Sequence, residues 1–229
     1  MKTVGFIGGY DKLNLVLYIA RILALSNKKV LVIDATTLQK TKYVIPTISP
    51  TQSYVTEFEG FDVAVGFRSM DMIKDYLGVD KLDYDIALLD VDNQVAASNY
   101  DIERNYKNCF VTAFDVYSLK KGVEILNIFQ KPVRMVKVLI SKNLLKEENE
   151  YLDYLTLGAK IAWDKEIISF PIELGNYSVE VINQVISRIK IKKLSDHYKN
   201  SLMYLISYIF DEDITSGEIK RIIKNMERD

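Results

Sequence analysis

The residues best suited to chemistry in this 229-residue chain lie in one short run, Ile7-Gly8-Gly9-Tyr10-Asp11-Lys12-Leu13. Two glycines and a lysine between an apolar run and a helix pattern are the parts of an anion site. Glycines let backbone N–H groups approach a phosphate, and a helix N-terminus adds unpaired donors and a partial positive charge. The same glycine pair also suits any tight strand–helix turn. Asp11 works against an anion here. Two like charges ~4 Å apart repel by about 1 to 4 kcal/mol between the dielectric of water and an effective value of ~20, and a triphosphate carries several.

Asp34 and Asp90 end two other apolar runs, at 30–34 and 85–91. A carboxylate there can hold a metal, orient a water or cap a turn. Asp92 reads as a solvated loop acid. His197 is the only histidine and Cys109 the only cysteine. An intrachain disulfide, cysteine metal clusters and His-centred zinc or triad chemistry are therefore excluded. His197 reads as a surface residue and Cys109 as a small core residue. No catalytic residue and no metal site is assigned. With 30 Lys+Arg against 31 Asp+Glu the net charge is −1, so there is no global basic field and nucleic acid is disfavoured. The 48% hydrophobic and 27% charged content excludes disorder as the main state.

A strand at 3–7, the glycine turn, a helix pattern to about Ser26 and a strand at 30–34 form a βαβ unit with a right-handed crossover. The strands are continuous apolar runs, which places them in a parallel sheet buried on both faces. Further strands are predicted at 61–65, 85–91, 108–113, 133–140 and 167–172. Helices are predicted near 69–77, 117–130, 145–157 and 176–192, the last from the spacing of Val179, Ile182, Val185, Ile186 and Ile189, and a helix or loop near 98–106. The fold class is α/β: a doubly wound, mostly parallel sheet with helices on both faces, plus C-terminal helices. Residues 36–60, with two of the four prolines, predict a long loop with room for a short helix. Residues 1–194 form the α/β domain. Residues 195–229 form a helical extension, packed on the domain or used for partner or membrane contact. Its helices lie at about 196–210 and 217–227, with Ser216 as N-cap.

In this order the segments resemble the ParA/MinD family of deviant Walker A P-loop ATPases, whose loop reads Lys-Gly-Gly-x-Gly-Lys-Ser/Thr. Gly8, Gly9 and Lys12 match that loop. Lys28 to Ala35 resembles the family's second strand and Tyr84 to Asp90 its Walker B strand. Phe110 to Ala113 with Asp115 to Leu119 resembles a later strand and helix start. Val136 to Ile140 with Asn143 resembles the strand leading to the adenine pocket, and Phe170-Pro171-Ile172 the late proline loop. The resemblance implies a P-loop NTPase-like fold and a relic nucleotide site at Gly8, Gly9, Asp11, Lys12, Asp34, Asp90 and Asn143. Departures imply degeneracy. Ile7 replaces the lysine that reaches the opposite subunit's nucleotide, Asp11 replaces the third glycine, and Leu13 replaces the magnesium-holding Ser/Thr. Residues 35–40 lack the further aspartates of switch I. Hydrolysis needs the metal, a positioned water and charge stabilisation. The implied function is a pseudo-ATPase near the CpaE/TadZ branch that binds no cofactor or only weak ATP/ADP. It would localise or scaffold a secretion, pilus, conjugation or partition system. The alternative is an active ATPase that compensates with Lys12, Asp90 and Thr36 or Thr37. A nucleotide or dinucleotide binder without hydrolysis ranks below both. Asp11 is expected to fill the anion site from within, its carboxylate at the N-terminus of the first helix.

Protein partners and a homodimer are expected. The helix at 13–25 is apolar nearly all round, so part of it is expected to face a partner. In the last helix, Ile219, Ile222, Ile223 and Met226 share one face opposite Lys220, Arg221 and Lys224. That face is expected to dock on the domain or on a partner protein or, weakly and with dimer avidity, on a bilayer. The basic run 188–193 reads as a solvated helix end, with DNA phosphate or anionic lipid as its minor reading. No apolar run spans a membrane, and 13–25, preceded by Asp11 and Lys12, is a poor signal peptide. The expected location is cytoplasmic, with peripheral contact at the inner face of the membrane.

Overall fold

The computed structural model describes residues 1–47, 52–142 and 146–228. The first βαβ unit forms as the pattern requires: β1 (Lys2–Ile7), α1 (Leu13–Leu25) and β2 (Val30–Asp34). The chain continues through α2 (Thr41–Val44), β3 (Tyr54–Phe58), β4 (Phe61–Val65), α3 (Met70–Leu77), β5 (Ile86–Val91) and α4 (Gln94–Asn99). A single 3₁₀ turn at Ile102–Arg104 leads to β6 (Lys107–Ala113), α5 (Val116–Leu126), β7 (Val133–Ser141), α6 (Lys146–Leu155) and β8 (Ile161–Pro171). Three helices close the chain: α7 (Leu174–Ile186), α8 (Asp196–Ile209) and α9 (Ser216–Met226).

The strands form one eight-stranded sheet in the order β3-β4-β2-β5-β1-β6-β7-β8, parallel except for the β3–β4 hairpin. Its two faces carry separate cores. One packs α1, α8 and α9, the other α3, α4, α5 and α6. The central strands are buried along their whole length, which is why they read as unbroken apolar runs. Among the described residues no helix is long and apolar enough to cross a membrane.

The first loop is held by close backbone approach. Gly8 has φ +150°, and a Cβ there would sit 2.0 Å from the Val111 carbonyl oxygen. A Cβ on Gly9 would meet the Lys121 side chain at 2.6 Å. The glycines are therefore required by packing against β6 and α5. Behind them, a Cβ on Gly122 of α5 would meet the Phe110 ring at 2.6 Å, and that ring lies tilted against Trp163, 5.7 Å between centroids.

Several expectations need correction. Within residues 36–60 the short helix is present as α2, but the described part also holds an edge strand, β3, in place of loop. Glu59 and Gly60 both take positive φ, forming the two-residue turn that a tight hairpin needs. The last strand starts at Ile161, six residues before the predicted start, and the helix or loop read near 98–106 holds the end of α4 and the 3₁₀ turn. Helix α7 stops at Ile186, where Ser187 turns left-handed. Thr215, not Ser216, caps α9. Helix α1 leaves no broad apolar face for a partner. The sheet covers one side and α8 and α9 cover the other, so of its apolar side chains only Leu25 is exposed. Ile219, Ile222, Ile223 and Met226 form that cover. All four are buried in the chain's own core: of the expectations for this extension, the helix docks on the domain and does not offer this face to a partner or bilayer. Ile219→Ala should therefore cost about 2 to 5 kcal/mol in urea unfolding. A freely exposed face would lose about 0.5 kcal/mol or less.

Candidate functional site

The C-terminal ends of β1, β2 and β5 meet beneath the first loop. β2 and β5 are in register, so Asp34 lies directly beside Asp90. The structure thus brings together six of the seven site residues read from the sequence: Gly8, Gly9, Asp11, Lys12, Asp34 and Asp90. Asn143 lies outside the described residues.

Lys12 turns inward. It is 2% exposed; its Nζ donates to the Gly8 carbonyl at 3.1 Å and pairs with Asp90 Oδ1 at 2.7 Å. Burial pushes the Asp90 carboxyl up to about 6, against the opposing pull of Lys12 and with a further rise from Asp34. Breaking such a buried pair by removing one partner typically costs about 3 to 5 kcal/mol. The ammonium is therefore committed to the protein itself.

Asp11 points the other way. Its Oδ1 accepts the Leu13 N–H at 3.2 Å, and its Oδ2 pairs with Lys40 at 2.6 Å. A carboxylate thus sits on a free N–H at the start of α1, where a phosphate would otherwise bind.

Asp34 is buried and saturated. Thr36 donates to its Oδ1 through N–H at 3.0 Å and hydroxyl at 2.6 Å. Thr41 donates to its Oδ2 through N–H at 3.1 Å and also through its hydroxyl. Asp92 is engaged too, accepting from the Thr37 N–H at 2.7 Å and its hydroxyl at 3.0 Å. The segment after β2 is stitched to the strand ends by its own threonines.

Above these groups lies a cavity of about 470 Å³. Its described lining includes five aspartates (Asp11, Asp34, Asp90, Asp92 and Asp115) against three lysines, Lys12, Lys40 and Lys121. Two of the lysines are paired with aspartates of the same cavity. Such a lining repels a polyanion. Leu13 offers no oxygen to a hard cation. Among the described residues no group of three His, Cys, Asp or Glu is placed to hold a metal ion. The residues present do not fit a magnesium–triphosphate complex.

Sequence reading missed Lys40, Thr41 and Glu180. Lys40 and Thr41 reach the site only because the segment after β2 folds back, which spacing alone does not show. Glu180 of α7 lines a neighbouring groove with Asp11 and Tyr10. Burial and the nearby Asp11 push its carboxyl up to about 7, while a hydrogen bond with Asn14 opposes the rise. Tyr18 and Tyr198, close by, are themselves pushed up by burial and stay neutral.

No protein-family model and no curated protein sequence matches the chain. Solved structures do. A ParA family ATPase from Chlorobium tepidum TLS is 16% identical with a TM-score of 0.52, over 98% of this chain and 97% of that one. The MinC:MinD cell division complex of Aquifex aeolicus matches at 14% identity and TM-score 0.52, over 100% and 96%. A protein described as a plasmid partition protein of Borrelia burgdorferi B31, bound to AMPPNP, matches at 15% and 0.54, over 93% and 99%. These similarities show the ParA/MinD P-loop NTPase-like α/β fold.

Glu180 gives the region a pH dependence. The folded state binds this proton more tightly than the unfolded chain, whose Glu titrates near 4.5. Its contribution to stability is full below that value and is lost as pH rises to about 7. Glu180→Gln should flatten this slope and stabilise the protein by about 1 to 3 kcal/mol above neutrality. Thermal or urea unfolding across pH, wild type against variant, reads the difference.

Proposed function

We propose that the chain is a degenerate member of the ParA/MinD family, a pseudo-ATPase with little or no ATP hydrolysis. It would localise or scaffold a secretion, pilus, conjugation or partition system through protein contacts, in the manner of the CpaE/TadZ branch. Its place would be the cytoplasm or the inner face of the membrane. The cell division and plasmid partition roles of two structural neighbours support the setting. The observation that carries the proposal is the occupation of the first loop from within. Asp11 takes the N–H at the start of α1 and is locked by Lys40, while Lys12 is spent on Gly8 and Asp90. Donors that would stabilise a transferring phosphoryl group must be free to meet it. Here they are committed to the fold.

The second reading is an active ATPase. It rests on one arrangement: Lys12, Asp90, Thr36 and Thr37 all line the same cavity.

Titration calorimetry of ATP and ADP, with and without Mg²⁺, separates the two. Wild type should give no heat. Asp11→Gly removes the internal carboxylate and should gain nucleotide binding that does not require Mg²⁺, because Leu13 is unchanged. Micromolar, Mg²⁺-dependent binding by wild type, with phosphate release abolished by Lys12→Ala, would overturn the pseudo-ATPase in favour of the enzyme.

A further inference from the structure

Helix α7 is built inside out. The face turned to the protein carries Asn176, Val179, Glu180 and Asn183, three of them polar. The outer half carries Leu174, Tyr177, Val181, Ile182, Val185 and Ile186. The most open of these are Leu174 (87%), Val185 (79%) and Tyr177 (65%). Two polar side chains share this exposed side: Ser178, bonded back to the Leu174 carbonyl, and Gln184.

Hydrogen bonds hold the helix in this orientation. Asn183 donates to the Tyr18 hydroxyl at 3.3 Å and the Lys190 carbonyl at 2.8 Å, and it accepts from the Lys190 N–H. Asn176 donates to Ser195 Oγ at 3.2 Å and accepts from the Ser195 N–H at 2.8 Å. Rolling the helix to hide its apolar half would break these bonds and strand buried amides. The outcome is an apolar strip about 20 Å long at 1.5 Å per residue, rimmed by polar groups.

The two ends of the strip carry opposite charge. Glu173 sits before the first turn, and Arg188, Lys192 and Lys193 follow the last; all four are exposed. A two-fold axis near Val181 would lay this strip antiparallel on the same strip of a second copy. Each Glu173 would then face the other copy's Arg188, and each apolar half would cover the other. A lipid surface would accept the basic end but would have to take Glu173 with it. A second copy matches both ends at once, as an isologous contact requires.

We propose that α7 is the seam of a two-fold homodimer that forms without nucleotide. The proposal does not depend on whether the first loop binds a ligand, and its test reads mass where the earlier one reads heat. Light scattering and sedimentation of the nucleotide-free full chain at micromolar concentration should give twice the chain mass. Val185→Glu should give a single chain that stays folded, with the wild type's helical signal, because this position is exposed within the chain. Arg188→Glu should weaken the dimer by at least ~10-fold, and adding Glu173→Arg to it should restore the pair. A wild type of single-chain mass would overturn the proposal. So would a dimer that survives Val185→Glu, a charge swap that fails to rescue, or a single-chain wild type that co-sediments with phosphatidylserine vesicles.

Discussion

The ammonium of Lys12 is taken out of water where the first strand, the first helix and the central strand β5 meet, and its desolvation has to be offset on the spot. The Gly8 carbonyl and the Asp90 carboxylate do this together. Their positions follow from the sheet. The Gly8 N–H is bonded to the Val91 carbonyl at 3.0 Å, and Gly8 itself lies against the backbone of β6. Once Lys12 points down, the start of α1 has no cation of its own to present upward. Asp11 takes the exposed N–H and calls in Lys40 from the segment after β2. That segment is in turn fixed by Thr36 and Thr41 on Asp34. One buried pair thus sets the conformation of the loop, of the helix start and of the neighbouring connection.

The architecture was legible because its signals are local and repeated. Unbroken apolar runs such as 30–34 and 86–91 have one physical use, a strand covered on both faces. Glycines before a long helix pattern mark the first turn equally well. The loop's internal pairing was legible in part, since a carboxylate two residues before a helix start has an obvious donor to meet. Lys40 was not legible. Its partner lies 29 residues away, and nothing in the composition of 35–40 says which way that stretch folds. The hairpin at 54–65 was obscured by the proline- and Thr-rich stretch before it, although Glu59-Gly60 held the turn signal.

Helices α1 and α7 show why apolar spacing alone does not say what is covered. Helix α1 is apolar nearly all round and is hidden almost completely, because α8 and α9 return from the far end of the chain to lie on it. Helix α7 has ordinary apolar spacing, yet shows most of it to solvent because its asparagines are needed inside. The deciding information in both cases is which distant segment comes back, and that is a property of the topology.

The contacts behind the first loop have a practical consequence. Trp163 is the only tryptophan of the chain. Its ring lies against Phe110, Phe110 fills the space left by Gly122, and the neighbouring Lys121 packs on Gly9. Lys137 sits over the same indole at 5.3 Å. The loop is therefore wired, through three successive contacts, to one intrinsic fluorophore with a charged neighbour. Its emission colour and intensity offer an optical view of this region in the unlabelled protein, free of signal from any other indole.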